Sequence, residues 1–246
     1  MKKTAAIIQA RMGSTRLPGK VLKKIKDKTV LAHVIERVRQ SSEIDEIIIA
    51  TTNLARDNKI VKEAQNCNVN YYRGSEDDVL CRYYHAAKEN DVSLVVRITS
   101  DCPLIDPFVV DDIVSFFKEN DYDLVTNAGS DLTQRTYPRG LDTEVFPLSK
   151  LEEAFNNAEA KYQREHVTPY IYETSKNIYY YTNNIDYSDY RLTLDENADW
   201  ELIFQVYDKL YNGDHVFYLE DIIKIIDDHH LKNINAHVEQ RNIEVE

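Results

Sequence analysis

Residues 9–22 read QARMGSTRLPGKVL, directly behind the short apolar run Ala5-Ala6-Ile7-Ile8. One loop thus gathers Arg11, Arg16 and Lys20 with Gly13, Gly19, Ser14 and Thr15. Arginine and lysine are the cations of anion binding, and a glycine-bearing turn can offer several backbone N–H groups to one anion. Pro18-Gly19 is a turn signal that fixes where Lys20 projects. The spacing is not that of a Walker P-loop: five residues separate Gly13 from Gly19, and Val21 follows Lys20 where that loop needs a hydroxyl. A G-x-G-x-x-G dinucleotide fingerprint is also missing. Three cations in one such loop suit a small, highly charged anion, and a triphosphate matches them well.

The distribution of charge points the same way. The chain has 246 residues and a net charge of −12, yet residues 1–40 carry eleven Lys/Arg against Asp27 and Glu36. That segment is therefore about +9 and the remainder about −21. So acidic a body repels polynucleotide backbones, which excludes nucleic-acid binding. Lys23, Lys24, Lys26 and Lys28 read as a solvated face. Cys67, Cys81 and Cys102 are odd in number and scattered, the usage of a reducing compartment and not of a zinc site. The apolar run behind Lys2 and Lys3 is cut by Arg11, too soon for a signal peptide, and no stretch approaches the ~20 apolar residues that span a bilayer. The expected location is the cytoplasm, away from membranes.

Positioning this loop requires a scaffold, and the hydrophobic pattern supplies one. Short runs rich in Ile, Val and Tyr predict strands over 4–9, 46–52, 69–72, 94–99 and 123–127. Between them, Leu31, Val34, Ile35 and Val38 fall at helical spacing, as do Val110, Ile113, Val114 and Phe117. Strands alternating with helices read as βαβ units around a largely parallel sheet, which binds ligands beyond the carboxyl ends of its strands. The cationic loop occupies such a place. The alternation breaks after Asn127: an irregular stretch runs to a strand over 141–146, followed by a helix through Glu165-His166-Val167 and a tyrosine-rich strand over 177–183. Tyr179, Tyr180 and Tyr181 there divide between core and rim. A further strand over 191–195 precedes two closing helices. The chain reads as one domain, 1–246, with an arm inserted over 128–185.

Six stretches carry a resemblance: IIQARMGSTRLPGKVL at 7–22, GSEDDVLCRYYHAA at 74–87, RITSDCPLIDP at 97–107, YPRGLDTEVF at 137–146, REHVTPYIY at 164–172 and RLTLDENADWELI at 191–203. In this order they resemble the CTP-dependent cytidylyltransferases that activate acidic sugars, the sialic-acid and 3-deoxy-manno-octulosonate synthetase superfamily. The nearest branch is the one named for spore-coat polysaccharide biosynthesis. The resemblance implies an α/β, Rossmann-like three-layer fold with a mostly parallel sheet. It also implies transfer of CMP from CTP to an acidic sugar, release of pyrophosphate, Mg²⁺ as cofactor, and a homodimer formed through the arm.

Nucleotidyl transfer is an in-line attack at the α-phosphate, a reaction helped mostly by positioning and by charge neutralisation. The resemblance assigns Mg²⁺ to Asp101, just beyond the strand over 94–99, and to Asp195, at the end of LTLD. Arg11, Arg16 and Lys20 would hold the triphosphate, with Gln9, Ala10, Gly13, Ser14 and Thr15 around the nucleotide. Ser75 or Arg82 could reach the base, although 74–78 reads equally as a turn and helix cap. Asp77, Asp106 and Asp199 read first as helix N-caps, Asp199 also as a candidate for a second metal, and Asp111-Asp112 as solvated surface. On the acceptor side, Arg135 and Arg139 suit a carboxylate or phosphate, Asp142 and Glu144 suit sugar hydroxyls, and His166 beside Glu165 is either an acid–base group or structural. Neither a Ser/His/Asp nor a Cys/His set in these motifs supports a covalent intermediate.

Three rival readings stay open. One is a nucleotidyltransferase of the same fold acting on a sugar phosphate or with another NTP. The second, a nucleotide-sugar glycosyltransferase, is disfavoured because TSDCP offers one acidic group where a DxD motif has two. The third is a non-catalytic partner in a polysaccharide or flagellin glycosylation pathway. Gln9 stands where better-known relatives have proline, and HVTPYIY departs from their HIGIYAY, so the acceptor is the open question.

Overall fold

The computed structural model describes residues 3–129 and 131–239; the two ends of the 1–246 span lie outside the described residues. The chain runs β1 (Lys3–Gln9), β2 (Lys24–Ile25), β3 (Lys28–Thr29), α1 (Val30–Val38), β4 (Glu46–Thr52), α2 (Asn58–Asn66), β5 (Asn70–Gly74), α3 (Val79–Glu89) and β6 (Val92–Thr99). It continues with α4 (Pro107–Glu119), β7 (Leu124–Thr126), β8 (Glu144–Pro147), α5 (Leu148–Asn157), α6 (Lys161–His166), α7 (Pro169–Thr174), β9 (Ile178–Tyr180), α8 (Asn197–Leu210) and α9 (Leu219–Asp228).

Seven strands form one sheet in the order β5-β4-β1-β6-β8-β7-β9, and β2 and β3 form a separate small hairpin. β8 runs antiparallel to both β6 and β7, whereas β1, β4, β5 and β6 are mutually parallel where they pair, as are β7 and β9. Apolar side chains on β1 alternate between two cores: Ala6 and Ile8 face one, Ala5 and Ile7 the other. Helices cover both faces, giving the three-layer α/β arrangement. The amphipathic faces read from the sequence point inward: Leu31, Val34, Ile35, Val38, Val110, Ile113 and Val114 are all fully buried. No helix among the described residues is long and apolar enough to cross a membrane.

Caps set the helix starts. Thr29 accepts the Ala32 N–H at 3.0 Å, and Asp106 accepts the Phe108 N–H at 2.8 Å with Pro107 in the first turn. Asp77 is exposed and is not a cap; its neighbour Asp78 begins α3, accepting the Cys81 N–H at 2.9 Å. Asp111 is also not plain surface: it receives Ser41 Oγ and the N–H groups of Ser42 and Glu43, stapling the 41–43 turn to α4. Asp112 is exposed as expected.

The inserted segment leaves the sheet and returns to it twice, as β8 and β9. Along its path Tyr179 and Tyr181 pack on Phe116. The strand expected over 191–195 is instead an extended loop with one isolated bridge, Arg191 to Arg139. Its partners are other loops: Leu192 N–H donates to the Arg139 carbonyl at 2.6 Å and Leu194 N–H to the Asp101 carbonyl at 2.8 Å. Gly140 permits this approach. Its φ is +101°, and a Cβ there would lie 2.4 Å from the Leu192 carbonyl carbon and 2.6 Å from the Thr193 nitrogen.

Gly140→Ala is therefore expected to cost roughly 1–3 kcal/mol from backbone conformation alone, plus the displacement of residues 192–193. Gly213 also has positive φ, at +119°, but nothing lies within 4 Å of the Cβ position. Urea unfolding of the two alanine variants side by side should show the larger loss at Gly140; equal losses would mean that the close approach carries no weight.

Candidate active site

Gln9 at the end of β1 and Thr99 at the end of β6 are register partners in the sheet. From there the chain diverges, since β4 flanks β1 on one side and β6 on the other, the topological switch at which open α/β sheets bind ligands. A cavity of about 470 Å³ opens at that point. Gln9, Ala10, Arg11, Gly13, Ser14, Thr15, Arg16 and Lys20 line it, together with Asp101 and Asp195 and with Arg139, Asp142 and His166.

Lys20 sits at the centre. Gly19, at φ +66°, turns the chain into a single 3₁₀ turn over Lys20–Leu22, which aims the lysine inward. Its Nζ donates to Asp101 Oδ2 at 2.7 Å, Asp195 Oδ1 at 2.9 Å and the Leu194 carbonyl at 2.7 Å. Burial by itself would lower the lysine pKa, but the fields of the two aspartates outweigh it and raise it. Burial would likewise push the Asp101 carboxyl up, and Lys20 brings it below the ordinary value.

Every oxygen of the two carboxylates has a donor. Thr99 Oγ1 donates to Asp101 Oδ1 at 2.6 Å; Arg16 joins Lys20 on Asp195 Oδ1 at 2.9 Å; Arg191 takes Asp195 Oδ2 at 2.9 Å. Thr99 and Arg191 had no place among the expected site residues. The signal for Arg191 was its position four residues before Asp195 in RLTLD, and for Thr99 its hydroxyl two residues before Asp101. Asp199 is fully buried and does not line the cavity: it pairs with Arg191 and accepts the N–H groups of Asp195 and Glu196 at 2.9 and 3.0 Å. It is the third residue of α8, whose N-cap is Glu196, and it braces Arg191, so both the N-cap and the second-metal readings give way.

The cationic loop leaves its own N–H groups free for a ligand. Met12 N–H bonds Asp57 at 2.7 Å and Leu17 N–H bonds Ser14 Oγ at 3.3 Å, but the N–H groups of residues 13 to 16 have no partner among the described residues. Arg11 is half exposed and reaches Glu76 at 3.7 Å.

Three further expected residues lie elsewhere. Ser75 is outside the cavity; its carbonyl accepts from Arg82 Nη1 at 2.8 Å and its Oγ from the Asp78 N–H at 3.3 Å. Of Ser75 and Arg82, it is Arg82 that reaches the wall, only 2% exposed, and burial pushes its pKa down. Glu144 is also outside, because as part of β8 its side chain turns into the interior, where it pairs with Arg97 and accepts from Thr168 and Tyr172. Of the two acceptor-side arginines, Arg135 is paired with Asp142 at 2.6 Å and does not line the cavity. Arg139 does line it and has no ion-pair partner among the described residues. His166 is half-buried; burial lowers its pKa, opposed by Glu165 and reinforced by Arg97 and Arg11.

No cluster of three or more His, Cys, Asp or Glu that could hold a metal exists among the described residues. The two carboxylates nevertheless converge on one cation-sized point, the place now held by the Lys20 ammonium. Two hard oxygen donors fit a divalent ion that completes its shell with water and substrate phosphates.

Comparison with known proteins agrees with this geometry. A profile of the family described as "Cytidylyltransferase" matches residues 5–242. The spore coat polysaccharide biosynthesis protein SpsF of Bacillus subtilis is 31% identical over 82% of this chain and 85% of its own length. The solved structure of a cytidylyltransferase from Leptospira borgpetersenii superposes with a TM-score of 0.88 at 35% identity, over 98% of this chain and all of that one. A CMP-2-keto-3-deoxy-manno-octonic acid synthetase solved with CTP shares the fold, with a TM-score of 0.63 at 17% identity over 85% of this chain and 99% of that one. With its switch-point cavity, cationic loop and paired aspartates, this chain belongs to the cytidylyltransferase family and is a CTP-dependent nucleotidyltransferase.

Proposed function

We propose that the protein transfers CMP from CTP to an acidic sugar, a nonulosonic or related sugar acid destined for a surface polysaccharide, spore coat or glycosylated flagellin. The observation that carries the site assignment is the ammonium of Lys20 lying within 3 Å of both Asp101 and Asp195, beneath a loop with Arg11 and Arg16. In this reading an acceptor hydroxyl oxygen forms a bond to the α-phosphorus and gives up its proton to solvent. The bond from that phosphorus to the bridging oxygen of the β-phosphate breaks, and pyrophosphate leaves with the electron pair. Arg11, Arg16, Lys20 and the N–H groups of residues 13–16 hold the triphosphate and take up the charge that builds on the leaving group. Mg²⁺ held by Asp101 and Asp195 would neutralise charge on the reacting phosphates.

Lys20 and Arg16 occupy the carboxylate oxygens that the ion would need, so the ion competes with them in the nucleotide-free protein. A triphosphate offers both side chains another anion, and nucleotide and metal binding should reinforce each other. On the acceptor side, Arg139 supports a carboxylate-bearing substrate because its guanidinium faces the cavity without a carboxylate of its own, while Asp142 lies beside it for hydroxyls. A homodimer through residues 128–185 belongs to the same reading; the edge strand β9 and Ile185, 54% exposed, support it. So does a cytoplasmic location, where CTP is available.

A thermal-shift panel tests the nucleotide and metal together. CTP with Mg²⁺ at about a hundred times its dissociation constant should add ~2.7 kcal/mol, with smaller shifts for UTP, ATP and GTP and little for CTP without the ion. A shift with UDP-sugars and none with CTP would overturn the reading. Asp101→Ala should remove nearly all turnover while the protein stays folded by circular dichroism; activity within tenfold of wild type would refute the metal assignment. Lys20→Ala should lower kcat/KM by roughly 10²–10³-fold, yet tighten Mn²⁺ binding to the nucleotide-free protein, read from the free-ion EPR signal. Unchanged or weaker Mn²⁺ binding would show that Lys20 does not stand in the ion's place.

A further inference from the structure

The turn that carries His166 has a backbone its sequence does not favour. Val167 is a fully buried β-branched residue at φ +73°, ψ −56°, and the Thr168 N–H donates to the His166 carbonyl at 2.9 Å. This is the rare, strained form of the three-residue γ-turn. Such a conformation persists only where the surroundings over-determine it. It lies directly behind Glu165 and His166, both on the cavity wall, at the junction of α6 and α7.

What holds it is a buried polar chain with no atom in the cavity until its ends. Thr168 Oγ1 donates to Glu144 Oε1 at 3.0 Å, and Tyr172 Oη donates to the same oxygen at 2.7 Å. Burial and then Glu144 raise the Tyr172 pKa far enough that the phenol keeps its proton and stays a donor. Glu144 Oε2 pairs with the Arg97 guanidinium, and Arg97 Nη2 points to Gln9 Oε1 at 3.4 Å. Glu144 is 5% exposed and Thr168 4%. A buried carboxylate is costly unless each oxygen is satisfied, and here each is. A pair placed only for stability could be replaced by apolar residues of similar volume at little loss. This one instead ends on two cavity residues: Gln9, closing β1, and His166, closing α6.

We propose that the Arg97–Glu144 pair is a positioning device: through Thr168 it holds the strained turn at Val167, and so ties Glu165 and His166 on one side of the cavity to Gln9 on the other. Calling these the acceptor and nucleotide sides rests on the proposed function; the tie itself does not. Arg97 and Glu144 are positioning residues, since neither touches the cavity. Occupation of the Gln9 side should be felt at His166.

The test is the ring signal of His166 in ¹³C-histidine NMR, assigned by its loss in His166→Gln. In the wild-type protein, saturating CTP with Mg²⁺ should shift that signal. Thr168→Val removes the hydroxyl at nearly constant volume and leaves the cavity wall untouched. It should bind CTP within about threefold of wild type, yet its His166 signal should be displaced or broadened and no longer respond to CTP. Thr168→Ser should restore both. Should Thr168→Val fail to fold, Tyr172→Phe removes the other donor and is expected to weaken the response in the same direction. A variant that folds and keeps the wild-type His166 signal, free and with CTP, would overturn the proposal. If wild type binds no CTP, the nucleotide assignment falls by itself, and the signal in free Thr168→Val, displaced or unchanged, still decides whether Glu144 holds the turn.

Discussion

Everything in the site hangs on the ammonium of Lys20 between two carboxylates from distant parts of the chain. Asp101 arrives on the loop after β6 and Asp195 on the loop before α8, and each would repel the other without a cation between them. Lys20 is delivered there by Gly19, from the loop after β1, and is held by a carbonyl as well as by both acids. The second carboxylate comes close because Leu194 hydrogen-bonds the Asp101 main chain and because Gly140 has no Cβ to keep residues 192–193 away. Three loops with no strand pairing among them thus converge through one charge, two backbone bonds and one missing methyl group.

That dependence explains what was legible in the sequence. The cationic loop, the strands β1, β4, β5, β6 and β7 and the two amphipathic faces follow from local pattern, because a parallel sheet advertises each strand as an apolar run and each helix by its period. Asp101 was readable as a strand-end acid. Ser75 and Glu144 were misplaced for a different reason. Alternation along a strand tells which residues share a face but not which face is interior, and Glu144 falls on the inward one, made tolerable by Arg97 forty-seven residues earlier. No local feature announces such a partner. The 191–195 segment reads as a strand because its residues are those of one; its hydrogen bonds go to loops, which only the tertiary arrangement reveals. Asp199 and Asp111 show the remaining gap, since what such a carboxylate does is recognised only when the N–H groups it meets are known.

Charge is handled in the same economical way. The body of the chain is strongly acidic, and the cavity concentrates the opposing cations where an anion must enter. Arg16, Lys20 and Arg191 are each already engaged with a carboxylate. Pre-paired cations need no counter-ion from solvent, keep fixed geometry, and can exchange one anion for another at small net cost in charge. Arg139 differs, as it faces the cavity with burial and the neighbouring Arg135 and Arg191 all acting to lower its pKa. Its electrostatic situation improves when an anion arrives, which supports the proposed role as an acceptor anchor.

The two halves of the cavity are built by different means. The half that carries the cationic loop grows from β1 and β6, parallel strands paired in register up to Gln9 and Thr99. The other half, the acceptor side of the proposed function, is made from irregular segments around Arg139 and from a turn whose strained residue is kept in place by a carboxylate on the single strand that runs against the others. Substituting residues in that second half can change what faces the acceptor without disturbing the Lys20 constellation, provided the Arg97–Glu144 pair still joins the halves. On the proposed function, a fixed nucleotidyl-transfer chemistry beside an exchangeable acceptor wall would follow from where the sheet is regular and where it is not.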